Sequence, residues 1–122
     1  MADIKDIVAR RVMRHRRVRK KVYGTAQRPR LVVFKSLKHL YAQVVDDDSQ
    51  TTLTGASTLS PEIRKAVSGK SRSERAQEVG KLIVSRMKDK SIQEVVFDRN
   101  GYPYHGIVKA IAEAVRNEKL LR

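Results

Sequence analysis

The chain has 122 residues, 27 Lys+Arg against 13 Asp+Glu, and a formal net charge of +14. That length and a 40% hydrophobic content suit one ordinary domain, not two independent cores or a disordered chain. Zero Cys excludes disulfides, thiolate metal sites and a cysteine nucleophile, and no apolar run approaches the roughly 20 residues of a membrane span.

The positive charge is concentrated at the start. Residues 1–30 hold 11 Lys+Arg and 2 Asp+Glu, whereas residues 31–122 hold 16 and 11. Around His15, the residues Arg10, Arg11, Arg14, Arg16, Arg17, Arg19, Lys20 and Lys21 make up 8 of the 12 positions from Arg10 to Lys21. Ile4, Ile7, Val8, Val12, Val18 and Val22 recur near helical spacing. The segment therefore reads as a basic helix whose thin apolar stripe touches the body while the remainder faces phosphate. A membrane-surface helix would need Trp, Phe or Leu on that stripe. Arginine dominates the run, and its planar fork bonds phosphate oxygens and stacks on bases. A polyanionic partner follows, and nucleic acid fits best, with RNA and DNA both open at this point. No secretory signal pattern precedes the run, so a soluble, cytoplasmic protein is expected.

Gly24, Thr25, Gln27 and Pro29 break the helix pattern. Arg30–Lys35 is dense in β-branched and aromatic residues and predicts a strand. Ser36, Leu37 and Lys38 connect it to a second strand, His39–Val45, where Leu40, Ala42 and Val44 alternate with Tyr41, Gln43 and Val45. Asp46–Gln50 is a polar turn. Thr51–Thr58 predicts a third strand, with Gly55 permitting a bulge or a close approach. Pro61–Val67 predicts a short helix with Pro in its first turn, and Ser68–Ser73 a basic loop. The Ser71–Glu74 spacing fits a capping box, starting a helix that buries Ala76, Val79, Leu82, Ile83 and Met87. Ile92–Phe97 predicts a covered inner strand. A last helix after Gly106 places Val108, Ile111, Ala112 and Val115 on one face. The expected fold is α/β (α+β): a basic helix, a three-strand antiparallel meander, then helix, strand and helix. Its four-stranded mixed sheet has helices on one face and leaves the other to a partner. The expected division is an RNA-binding arm over 1–27 and one globular RNA-binding domain over 28–122.

Catalytic motifs are absent. Gly69-Lys70-Ser71 imitates the end of a phosphate-binding loop, but Arg64 stands where its first glycine is required. Asp46, Asp47 and Asp48 are consecutive and point in different directions, as in a turn rather than a metal site. Neither His39 nor His105 has a carboxylate at a telling spacing, and each reads equally as an RNA-facing donor or a structural hydrogen bond. Ser57, Ser60 and Ser71 lack partners for nucleophilic work. No catalytic residue, metal ligand or cofactor is expected. The segment Phe97-Asp-Arg-Asn-Gly-Tyr-Pro-Tyr-His-Gly106 is different. It gathers Arg99, Tyr102, Tyr104 and His105 between a strand and a helix N-terminus, which suits stacking on unpaired RNA.

Four stretches in order carry a family signal: Arg28-Pro-Arg-Leu31, Ser36-Leu-Lys-His-Leu-Tyr-Ala-Gln43 with its Asp run, Ala56-Ser-Thr58, and Phe97–Gly106. Together they resemble the bacterial large-subunit ribosomal protein eighteen (L-eighteen) family, over essentially the whole chain. The resemblance implies a non-enzymatic constituent of the large ribosomal subunit that binds 5S rRNA and helps attach it to 23S rRNA in the central protuberance. It also implies neighbouring large-subunit proteins as partners, a basic extension that orders on RNA, and no membrane or small-molecule substrate. The arm arginines, Arg28, Arg30, Lys35, Lys38, His39, Tyr41, Gln43, Arg99, Tyr102, Tyr104 and His105 fall on matching motif positions. Asn100 replaces a glycine common in the family, a change that Asn tolerates at positive φ. Ile107 stands where an arginine is common.

Two other classes remain in view. A ribonuclease-like enzyme would gather carboxylates at strand ends, and Asp98 lies at one without an evident second acid. A DNA-compacting protein would not distinguish folded RNA from duplex DNA.

Overall fold

The computed structural model describes residues 4–19, 22–36, 38–102, 104 and 106–118. In chain order the elements are α1 (Ile4–Arg19), β1 (Arg30–Lys35), β2 (Leu40–Asp46), β3 (Thr51–Ser57), α2 (Arg72–Asp89), β4 (Val96–Asp98) and α3 (Ile107–Asn117). The strands form one mixed sheet in the order β3-β2-β1-β4, with β1 antiparallel to β2, β2 antiparallel to β3, and β4 parallel to β1. The fold is α+β, with the expected meander followed by helix, strand and helix.

Alternation along the strands decides what each face carries. Leu31 and Val33 of β1, Leu40, Ala42 and Val44 of β2, and Ala56 of β3 are buried on one face. There they join Ala76, Val79, Ile83 and Met87 of α2 and Val108, Ile111 and Val115 of α3 in a single core. Burying each of the larger side chains contributes about 1.5–3 kcal/mol. The pairings Arg30↔Val45, Val32↔Gln43, Phe34↔Tyr41, Arg30↔Val96 and Val32↔Asp98 put these residues together on the opposite face.

The β2–β3 register shifts between Val44 and Val45, leaving Leu53 without a cross-strand partner. The bulge therefore sits at Leu53, which packs against the core, and not at Gly55. Gly55 is the close approach instead: a Cβ there would lie 3.2 Å from the Ala42 carbonyl.

The Ser71 half of the predicted capping box forms. Ser71 is extended, and its side chain accepts from the Glu74 N–H at 3.3 Å. Leu82 is only partly buried, at the margin of the core. At the other end of α2 the Ile92 N–H reaches the Met87 carbonyl at 2.9 Å and the Ser91 N–H reaches Lys88 at 3.0 Å. Ser91 sits at φ 58°, completing a Schellman stop with serine where glycine is usual.

Two expectations are corrected. Pro61–Val67 is a chain of turns, not a helix. Only Ile63 and Val67 have core to bury there, and Gly69 at φ +78° ends the stretch. Ile92–Phe97 is not an inner strand: the strand is Val96–Asp98, at the sheet edge beside β1. Its apolar run has a divided purpose, since Ile92 closes the end of α2 and Val95, a lone bridge residue ahead of the strand, fills the core. A three-residue edge also offers little template for further pairing. Among the described residues no helix is long and apolar enough to cross a membrane.

Candidate nucleic-acid interface

On the face opposite α2 and α3, one guanidinium joins two carboxylates from different parts of the chain. Arg30 donates from Nε to Asp47 Oδ2 at 2.9 Å, from Nη2 to Asp47 Oδ1 at 3.0 Å, and from Nη1 to Asp98 Oδ2 at 2.7 Å. Asp98 has no solvent exposure, and its other oxygen accepts from the Asn100 N–H at 2.8 Å. Burial alone would lower the pKa of Arg30, but the hydrogen bonds to Asp47 and Asp98 outweigh it and raise the value. Bonding to Arg30 holds the Asp47 carboxyl below the usual carboxylate range, against the opposing pull of burial. The three consecutive aspartates go to separate partners: Asp46 accepts from the Asp48 N–H, Asp47 holds Arg30, and Asp48 accepts from the Tyr23 hydroxyl.

Helix α1 is fastened to this network by its polar residues. His15 Nε2 lies 3.1 Å from Asp98 Oδ2, and Arg19 Nη1 lies 3.4 Å from Asp47 Oδ2 and donates to the Val22 carbonyl at 2.6 Å. Arg14 Nε donates to the Gly101 carbonyl at 2.8 Å. Arg11, Arg14, His15 and Arg19 follow the spacing of a single helix face. This corrects the expectation of an apolar stripe against the body. Ile7, Val8, Val12 and Met13 are exposed, and the side chains of Ile4 and Val18 are not among those described. The reason is long-range: buried carboxylates on the body hold cations more strongly than a few valines hold its surface. Arg10, Arg16 and Arg17 are exposed. None of the three has a carboxylate partner among the described residues.

The Asp98–Tyr102 turn meets α1 directly. Asn100 and Gly101 take φ 55° and 75°, and the Tyr102 N–H bonds the Arg99 carbonyl at 3.0 Å, as in a type I′ turn. A Cβ on Gly101 would collide with the Arg11 carbonyl and lie 3.1 Å from its Cγ. The Tyr102 ring lies under two cations, Arg11 at 4.9 Å and Lys35 at 5.1 Å from its centroid. Tyr104 is exposed, meets Phe97 edge-on at 6.2 Å, and accepts from Arg116 at 3.3 Å. Gly106 caps α3 without a side-chain hydrogen bond, and the first turn of α3 has no acidic residue.

The remaining sequence candidates are spread more widely. Tyr41 packs at a tilt on Phe34 with centroids 5.8 Å apart, beside half-buried Gln43 on the same face. His39 Nδ1 pairs with Thr58 Oγ1 at 2.9 Å. Lys35 and Lys38 are exposed, and Arg99 is half-buried. Arg28 is half-buried, with an Nε that has no hydrogen-bond partner among the described residues. Lys20, Lys21 and His105 lie outside the described residues. The structure thus brings Arg11, Lys35 and Tyr102 together and joins Arg14, His15, Arg19 and Arg30 to the body. It leaves Lys38 and His39 at the β1–β2 turn. Sequence reading missed Asp47 as the partner of Arg30 and Arg19, and Gly101 as the seat of α1. The Asp run and the Asn-Gly pair were the available signals, but neither names a partner so distant in sequence.

Comparison with known proteins bears on the whole chain. Residues 5–121 match the family model described as ribosomal L18 of archaea, bacteria, mitochondria and chloroplast. A large ribosomal subunit protein uL18 of Caldicellulosiruptor saccharolyticus is 54% identical over 111 residues, covering 91% of this chain and 90% of the relative. The uL18 of Thermotoga neapolitana is 56% identical over 111 residues, covering 91% of each chain. The uL18 of Trichodesmium erythraeum is 52% identical over 109 residues, covering 89% of this chain and 91% of the relative.

Proposed function

Because this chain belongs to the ribosomal L18 family, a family of ribosomal proteins and not of enzymes, we propose that it binds 5S rRNA in the large ribosomal subunit. There it helps attach that RNA to 23S rRNA in the central protuberance, among neighbouring subunit proteins in the cytoplasm. The arm over 1–27 supplies charge, and the body over 28–122 supplies shape and stacking. The observation that carries this reading is the two-sided character of α1. One side is fixed to the body by Arg14, His15 and Arg19, while Arg10, Arg16 and Arg17 stay exposed outside that contact.

Those three arginines displace counterions from phosphates. The Tyr102 and Tyr104 corner and the sheet face of Tyr41 and Gln43 set register by stacking and 2′-hydroxyl contacts. In filter binding with excess unrelated RNA, the purified chain should retain a one-to-one complex with a 5S rRNA transcript. The triple variant R10Q/R16Q/R17Q should flatten the slope of log affinity against log salt by about 2 to 3. Equal affinity for duplex DNA would replace this reading with DNA compaction. An unchanged slope in the triple variant would remove α1 from the contact.

A further inference from the structure

The turn joining β1 to β2 is closed by its own hydrogen bonds and braced from two other parts of the body. The Ser36 N–H donates to the His39 carbonyl at 2.9 Å, and the His39 N–H donates to Ser36 Oγ at 3.2 Å. Arg72, in the first turn of α2, donates to the Ser36 carbonyl at 3.1 Å. Just beyond the end of β3, Thr58 Oγ1 lies 2.9 Å from His39 Nδ1 and accepts from the Leu40 N–H at 3.3 Å. Thr58 is buried, whereas His39 is half-buried and follows exposed Lys38.

The hydrogens at Thr58 decide the tautomer of this ring. A hydroxyl has one proton to donate and two lone pairs with which to accept. The Leu40 N–H occupies one lone pair. If Nδ1 of His39 carried a hydrogen and donated it, the second lone pair would be filled as well. The Thr58 proton would then have no acceptor among the described residues, and a buried donor left unpaired is costly. The hydroxyl therefore donates to a bare Nδ1, and the neutral ring carries its own proton on Nε2. Among the described residues Nε2 has no partner.

We infer that Thr58 is a positioning residue for RNA binding: it fixes His39 as the Nε2–H tautomer and so presents that N–H to an acceptor atom of the RNA. That role rests on the RNA-binding reading above and divides the two nitrogens of His39 between structure and recognition. A neutral donor displaces no counterion. His39 thus adds direction to a turn whose neighbours Lys35 and Lys38 add charge.

Nitrogen-15 NMR of the free full chain at about pH 8, where an ordinary imidazole is neutral, should find the His39 proton on Nε2. Thr58→Ser keeps the hydroxyl and should keep that pattern, whereas Thr58→Val should give a mixture of tautomers. Two substitutions of His39 separate its nitrogens in binding. His39→Gln can place an amide N–H near the position of Nε2, whereas His39→Asn can place one only near Nδ1, against Thr58. H39Q should bind a 5S rRNA transcript within about threefold of the parent, and H39N about tenfold more weakly. The slope against salt should stay unchanged in both. Loss confined to 5S rRNA assigns the acceptor to a base edge, and equal loss with an unrelated RNA assigns it to the backbone. A proton found on Nδ1, parental affinity in H39N, or H39Q weaker than H39N would overturn the proposal. If T58V fails to fold, the NMR of the parent and T58S and the binding of the two His39 variants decide the matter. A parent protein that does not prefer 5S rRNA over unrelated RNA would overturn the functional reading instead. The NMR pattern would then still report whether Thr58 fixes the ring.

Discussion

Arg30 donates to Asp98 at 2.7 Å across the parallel β1–β4 pair, and Asp98, with no exposure of its own, depends on that guanidinium for its charge to be tolerated. The same fork grips Asp47 through two hydrogen bonds, so a single side chain bridges two acids. Arg30→Met would leave both without it. Losing one partner of a buried pair costs roughly 3–5 kcal/mol, and the variant should fall in that range by urea unfolding. Arg30→Lys keeps the charge but not the planar fork, so it should recover less than half of the loss. A cost below about 1 kcal/mol for Arg30→Met would mean that water replaces the guanidinium.

Acid should release this network from the Asp47 side. Its carboxyl is held low in the folded protein by Arg30, with the Gly24 N–H and the Arg19 charge adding to the effect. An acid whose folded pKa is depressed stabilises the fold above its unfolded value of about 3.9. That contribution disappears as pH falls through the lower folded value. The stability gap between the parent and D47N should therefore be full at pH 6 and shrink below about pH 4. Unfolding free energies measured from pH 6 to pH 2.5 check this. A gap independent of pH would place the Asp47 contribution in packing and not in its charge.

The stop of α2 offers a gain in place of a loss. Ser91 holds φ 58° at the left-handed position of the Schellman motif, where its Cβ is strained. Ser91→Gly keeps the Lys88 and Met87 hydrogen bonds and removes that strain, so it should stabilise by about 0.5–1 kcal/mol. The thermal midpoint followed by circular dichroism should rise by a few degrees. No rise would show that the Ser91 side chain compensates for its own backbone.

Local signals made most of the fold legible. Alternation in Leu40–Val45 set the faces of β2, the Ser71–Glu74 spacing set the start of α2, and Gly106 marked the start of α3. Each depends on residues within one turn or one strand of one another. What failed to show was decided at long range. The apolar spacing of α1 pointed to a valine stripe against the body, but Asp47 and Asp98, 28 and 83 residues from their α1 partners, turn Arg19 and His15 inward. The run at Ile92–Phe97 suggested a covered strand because an apolar segment that closes a helix reads like one that fills a sheet. Of the candidate interface, the residue types and the turn were readable. Which arginines hold the arm and which face outward was not, because helical position alone does not say where a buried acid waits.

Tyr104 distinguishes stacking from support. Its ring meets Phe97 edge-on at 6.2 Å and its hydroxyl bonds Arg116, while 37% of the residue stays open to solvent. The ring is thus held against Phe97 and open on part of its surface, as a platform for an unpaired base must be. Tyr104→Ala should cost about 1–3 kcal/mol of binding to a 5S rRNA transcript and change binding to an unrelated RNA by less than about 0.5 kcal/mol, since unspecific affinity comes from phosphate contacts. Tyr104→Phe keeps the ring and should bind almost as the parent does, which separates the stacking surface from the Arg116 hydrogen bond. Competition binding at one fixed salt concentration measures all three. If the alanine variant loses both RNAs equally, Tyr104 braces the turn beside Phe97, and base stacking must be sought at Tyr102 or Tyr41.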